Sequence, residues 1–200
     1  MTPYRSKVNK QPLPRLVTER LVLRPFAFSD GPAVERLAGA REVADTTLTI
    51  PHPYPTGGGA DWILTHAAAW ERDRELALAI CLGAAGDTLV GAISLQFSVP
   101  HSHGELGYWI AHASWGWGYA TEAALAVTAY AFTTLALHRV QGRHFTRNAP
   151  SGRVLQKLGM QLEGVHRDAY SRWDRFEDVA VYAVLAQQWA DQPSSSRRVT

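Results

Sequence analysis

Two hundred residues, 46% hydrophobic and 19% charged, suit one domain of ordinary size with a core of its own. No run of 18 apolar residues exists and the first fifteen residues are polar and proline-rich, which argues against a membrane span or an export signal, while the single Cys81 cannot form an internal disulfide and fits a reducing cytoplasm. The formal charge of +2 is unevenly placed: Arg5, Lys7, Lys10 and Arg15 put +4 on residues 1–15 and the last ten residues add +1, so the body over 16–190 carries −3, the wrong sign for a nucleic-acid-binding domain.

Residues 1–15 hold three prolines and no periodic pattern, and are expected to form a flexible basic arm. From Thr18 the chain alternates polar and apolar positions, which predicts a strand stopped by Pro25. Ser29 or Asp30 can cap a helix with Pro32 in its first turn and Val34, Leu37 and Ala38 at helical spacing. Pro51, Pro53, Pro55 and three consecutive glycines make 45–59 a loop, either a substrate mouth or a plain surface connection. Residues 61–74 follow as a helix with Trp62, Ile63, Ala67 and Trp70 along one side.

Strands over 76–82 and 88–98 form a hairpin across a Gly-rich turn, and a third strand, 105–111, follows after another short turn. Residues 119–133 read as an alanine-rich helix, 139–145 as a strand, 151–158 as a short helix ended by Gly159, and 162–170 and 179–185 as the final pair of strands. From residue 191 the tail is polar and serine-rich and is expected to be disordered. The order β–α–α–β–β–β–α–β–α–β–β predicts an α+β domain over 16–190: a mixed, mostly antiparallel seven-stranded sheet with helices on both faces.

The chemistry is concentrated where the 105–111 strand meets the alanine-rich helix, in Trp115-Gly116-Trp117-Gly118-Tyr119-Ala120-Thr121-Glu122. Small residues there let a ligand approach the backbone, and the first N–H groups of a helix carry the positive end of its dipole, so the turn suits phosphate oxygens. A dinucleotide fingerprint would need glycine at Thr121, and a P-loop would need Gly-Lys-Ser/Thr, which is absent.

The turn resembles the acyl-CoA-binding motif of the GNAT superfamily of N-acetyltransferases, Gln/Arg-x-x-Gly-x-Gly/Ala: Gly118 and Ala120 match, and Trp115 stands where the family usually has Gln or Arg. Glu-Leu-Gly-Tyr-Trp-Ile at 105–110, Glu-Arg-Leu-Val-Leu-Arg-Pro at 19–25, and Asn148-Ala149-Pro150-Ser151 running on to Leu162-Glu163-Gly164 are similar to the RimJ/RimL branch, and together the resemblance spans about residues 17–187. It implies the GNAT acyl-CoA N-acyltransferase fold and acetyl-CoA as co-substrate. The diphosphate would rest on Trp115, Gly116, Trp117, Gly118, Tyr119, Ala120 and Thr121, and pantetheine would lie along Tyr108, Trp109 and Ile110 with an amide near Ile110 facing the thioester oxygen. Asn148, Ser151 and Arg153, with Arg147, would add further contacts.

For catalysis the resemblance offers Glu105 as general base, acting through a water because about 17 Å of strand separates it from Ile110. Ser151 is the candidate proton donor to the leaving thiolate, although it also sits where a helix cap belongs, with Tyr170 or Tyr182 as alternatives. His101, His103 and His112 lack a carboxylate or cysteine at metal spacing, so no metal is expected. The expected acceptor is a primary amine, with the branch pointing to a protein N-terminus. A small amine (amino acid, polyamine or antibiotic) and a non-catalytic acetyl-CoA sensor are the alternatives. A homodimer is compatible with either, and neither membrane nor nucleic acid is an expected partner.

Overall fold

The computed structural model describes residues 11–192. Most of the expected arm and of the expected tail lies outside the described residues, which begin after residue 10 and end before residue 193. Eight strands form one sheet, Leu16–Val17 (β1), Leu21–Arg24 (β2), Glu75–Leu82 (β3), Thr88–Ser98 (β4), His103–Ile110 (β5), Arg139–Phe145 (β6), Gln161–Arg172 (β7) and Arg175–Leu185 (β8), in the order β1-β2-β3-β4-β5-β6-β8-β7. The helices are Gly31–Ala38 (α1), Arg41–Asp45 (α2), Gly58–Glu71 (α3), Tyr119–Thr133 (α4), Ala149–Lys157 (α5) and Ala186–Asp191 (α6). The α+β architecture follows the pattern of the sequence, with an added helix after β8, α6, and three further differences.

The first strand is split, which raises seven strands to eight. Thr18 donates its N–H to the Leu21 carbonyl and its hydroxyl accepts from the Leu21 N–H, closing a turn between β1 and β2. A short helix, α2, precedes the expected loop, and α3 begins at Gly58, because Gly57 takes φ 82° and Gly59 lies so close to α1 that a Cβ would sit 2.4 Å from the Gly31 carbonyl oxygen. The last two strands extend into a long hairpin turned at Trp173 and Asp174, both with positive φ.

The sheet has a core on each face. Leu76, Leu78, Ile80, Ile93, Leu95, Leu106 and Val140 pack against Ala123, Ala124, Val127 and Ala131 of α4 and Leu155 of α5. Val34, Ala38, Val43 and Ile63 from α1, α2 and α3 cover Ala92 and Trp109 on the other. The alternation in β5 explains both: Leu106 and Ile110 join the first core and Trp109 the second. Each fully buried leucine contributes about 1.5–3 kcal/mol of transfer free energy, so the sheet is a rigid base for what lies at its centre.

That centre is the parallel pair β5–β6. It is hydrogen-bonded only from His103/Arg139 to Leu106/Gly142. Beyond it β5 stays with β4 and β6 with β8, so the two strands part. Gly142 marks the parting point: a Cβ there would lie 2.7 Å from Leu155 Cδ2, so the absence of a side chain lets α5 seat its leucine against the sheet.

Candidate active site

The parted strands open into a cleft of about 1130 Å³ that runs through the domain from the start of α4 to the loop after α2. At one end lies the glycine turn. Gly116 and Gly118 adopt φ of 82° and 80°, a region that side chains enter only with strain. Gly118 caps α4, whose first amides receive no side-chain cap. A 15-residue helix therefore directs unpartnered N–H groups and the positive end of its dipole at the cleft wall formed by Gly116, Gly118, Tyr119, Ala120 and Thr121. Arg153 and Lys157 of α5 line the same end and add two cations.

The free edge of β5 forms the middle of the cleft. Ala111 N–H donates to the Val90 carbonyl, so strand alternation turns the amides of Tyr108 and Ile110 away from β4 and into the gap. Trp115, where the family motif usually has Gln or Arg, donates its indole N–H to the Ile110 carbonyl at 2.7 Å. That bond caps the carbonyl and fixes the turn to the end of the strand. The exposed amide edge, the glycine turn and the cations together fit a coenzyme A: strand-like pairing for pantetheine and backbone donors for a diphosphate.

Opposite β5, Asn148 caps α5, accepting from Ser151 N–H at 3.3 Å. Ser151 is thus the third residue of the helix and its hydroxyl is not used as a cap. It lies instead 2.9 Å from the Tyr108 hydroxyl, which also donates to the Ser151 carbonyl at 3.1 Å. Burial pushes the Tyr108 phenol up to about 12, against the opposing effect of the Ser151 hydrogen bond, so the ring stays neutral.

Past the parting point the cleft changes sign. Glu105 Oε2 accepts from Gln141 Nε2 at 2.8 Å and from Arg143, and Arg143 also donates to the Tyr170 hydroxyl at 2.8 Å. Glu75 lines this end too, in register with Gln96 and through it with Glu105. The roof is the 46–51 loop, held from below by Arg172, which donates to the carbonyls of Ala44 at 2.8 Å and Ile50 at 2.6 Å and stacks on Trp173. One end of the cleft therefore suits anions and the other a cationic amine.

Of the candidate residues, Tyr108, Ile110, Trp115, Gly116, Gly118, Tyr119, Ala120, Thr121, Asn148, Ser151 and Arg153 are brought together at the anion-binding end and in the gap, and Glu105 and Tyr170 share the other end. Trp109 also lines the cleft, though most of it packs into the core and it is 8% exposed, whereas Trp117, 62% exposed, does not line it. Tyr182 is buried against His144 and hydrogen-bonded by Gln156. Arg147, expected to add a further contact to the coenzyme, is instead bound to Asp45 and Glu177. The Tyr108 hydroxyl, Gln141 and Arg143 were not legible as site residues. Gln141 and Arg143 alternate on one strand face, but nothing local shows that this face meets Glu105. Among the described residues no group of three His, Cys, Asp or Glu is placed to hold a metal, and no helix is long and apolar enough to cross a membrane.

Comparison with known proteins gives concordant results. Residues 20–161 match the family model described as an acetyltransferase (GNAT) domain. The uncharacterized N-acetyltransferase YoaA of Bacillus subtilis (strain 168) is 30% identical over 175 residues, 86% of this chain and 97% of that protein. A GNAT-family acetyltransferase from Bacillus anthracis superposes with a TM-score of 0.77 at 25% identity, over 87% of this chain and 99% of its own. Mycobacterium smegmatis RimJ, solved with a CoA disulfide, has the same fold, with a TM-score of 0.77 at 23% identity over 88% and 87% of the two chains.

Proposed function

The chain belongs to the GNAT acetyltransferase family, and we propose that it acetylates the α-amine of a protein N-terminus in the manner of the RimJ/RimL branch, within a cytoplasmic catalytic domain spanning 16–190. The carrying observation is the state of Glu105: Oε2 is already committed to Arg143 and Gln141, which leaves Oε1 to take the ammonium proton, directly or through a water. With one carboxylate oxygen occupied by two donors, an amine that loses its proton near neutrality asks least of the site. A protein α-amine of pKa about 7.8 costs only about 1.1 kcal/mol to neutralise at pH 7, against about 4.6 for a lysine.

In this reading the α4 amides with Arg153 and Lys157 bind the coenzyme A phosphates, and the Tyr108–Ile110 edge aligns the pantetheine arm. The acetyl thioester supplies an electrophilic carbonyl at the parting point, beside the Ile110 amide. Once the amine has attacked and the C–S bond breaks, the Ser151 hydroxyl, next to the neutral Tyr108, gives the departing thiolate its proton and takes one back from solvent, while the proton taken from the amine passes through Glu105 to solvent. Tyr170, held by Arg143, faces the acceptor.

The test is transfer itself. The protein is incubated with acetyl-CoA and peptides that differ in whether their α-amine or lysine is free, alongside free amino acids, spermidine and an aminoglycoside, and products are read by mass spectrometry. Acetylation confined to free α-amines supports the reading. Preference for a small amine, or binding of CoA without transfer to anything, contradicts it.

A further inference from the structure

We propose that Arg20, in the turn between β1 and β2, is a positioning residue for the phosphate-binding turn: it neutralises a buried carboxylate beneath the turn and orients the backbone that faces the coenzyme. The inference rests on the acetyl-CoA reading above.

The carboxylate is Glu122, the fourth residue of α4 and wholly buried. A negative charge near a helix N-terminus stabilises the helix, but here it lies one turn below the amides that would receive a dianion, and it would oppose that ligand. Glu122 is met by four donors, all from the β1–β2 turn: Thr18 Oγ1 at 2.6 Å and Arg20 N at 2.9 Å on Oε1, and Arg20 Nε and Nη2, each at 2.7 Å, on Oε2. The guanidinium cancels the charge that the site can least accommodate.

The same guanidinium also holds the turn. Its Nη1 donates to the Trp117 carbonyl at 3.0 Å. Because the peptide is planar and trans, a carbonyl drawn toward Arg20 sends the next N–H, that of Gly118, the other way. The plane of Arg20 lies 5.1 Å over the Tyr119 ring, and a Cβ on Gly118 would be 3.5 Å from Nη2, so one side chain touches three consecutive residues of the turn. Lysine has no fork to hold the carboxylate and the carbonyl at once. Two segments about a hundred residues apart, each singled out by sequence for separate reasons, thus meet in one contact.

The experiment measures inhibition by CoA and by pantetheine, which lacks the phosphates, in the wild-type enzyme and in R20M, R20K, E122Q and R20M/E122Q, with kcat and melting temperature alongside. R20M is expected to weaken CoA about ten-fold or more, leave pantetheine and kcat within about two-fold, and recover most of the CoA affinity when E122Q removes the stranded charge. If R20M does not fold, R20K, which keeps a cation against Glu122, is expected to weaken CoA about three-fold with pantetheine unmoved. Equal loss of CoA and pantetheine, no recovery in the double variant, or wild-type CoA inhibition in R20K overturns the proposal. A wild-type enzyme that ignores CoA altogether would overturn the acetyl-CoA reading itself, whereas a wild-type enzyme inhibited by CoA, with R20M no different from it, overturns only the role of Arg20.

Discussion

The Tyr108 hydroxyl lies 2.9 Å from Oγ of Ser151, a hydrogen bond that bridges β5 and α5 on the side of the gap where the strands have parted. Tyr108 also donates to the Ser151 carbonyl, so between the two hydroxyls Ser151 is the donor, and its hydrogen reaches another acceptor only when it turns away from Tyr108. S151A is expected to lower kcat by about 10²-fold and Y108F by about ten-fold, both with little change in the KM for acetyl-CoA. The double variant should be no worse than S151A, because the two groups act as a unit. Steady-state kinetics of the three variants checks this, and a multiplicative loss in the double variant would show the groups to be independent.

Glu105 predicts a pH-dependent deficit. E105Q keeps the shape and the link to Arg143 but cannot accept the amine proton, so kcat/KM should fall by about 10² at pH 7. The deficit should shrink as pH rises past about 8, where an α-amine is already neutral. A deficit constant from pH 6 to about 9 would remove Glu105 from the proton path.

Gly118 should resist substitution for a conformational reason. At φ 80° a Cβ has room, its nearest neighbour being Arg20 Nη2 at 3.5 Å, so G118A costs about 1 kcal/mol through backbone strain alone. If the backbone relieves that strain, the α4 amides turn and CoA binding weakens. Melting temperature and CoA calorimetry together separate the two effects: a lower melting temperature with CoA affinity intact would mean that the turn keeps its geometry.

His66 provides an acid-stability prediction. It is 4% exposed, sits between Trp62 and Phe26, and has no hydrogen-bond partner for either ring nitrogen, so burial lowers its pKa from 6.5 to about 4. The unfolded chain therefore binds the proton first. Stability is complete above pH about 6.5 and is lost toward pH about 4 at up to about 1.4 kcal/mol per pH unit. Urea unfolding across that window should show the slope, and H66F should flatten it; an unchanged slope would assign the acid sensitivity to other groups.

Much of the architecture could be read from local pattern. The alternation in 105–111 identified β5 and the run of alanines identified α4; Gly118 and Ala120 located the anion-binding turn, because each of these signals is carried by neighbours in the chain. What the sequence left hidden depends on contacts between distant segments. Thr18–Arg20 alternates like a strand, yet becomes a turn because Glu122, about a hundred positions later, binds both residues. Ser151 looked like a helix cap, but Asn148 fills that role three residues earlier and frees the hydroxyl for Tyr108. Arg147 was as plausible a phosphate ligand as Arg153 until the β7–β8 hairpin and α2 placed Glu177 and Asp45 against it. Spacing identifies elements; it does not identify the partners of a long side chain.

The central claim is that the gap between β5 and β6 is where acetyl-CoA lies. A crystal structure of the protein with CoA tests it most directly. The account predicts the diphosphate on the amides at the start of α4, near Gly118 to Thr121, and the pantetheine arm along Tyr108 and Ile110 with its sulfur beside Ser151. CoA bound elsewhere on the domain, or strands that close together and leave it no room, would contradict the account.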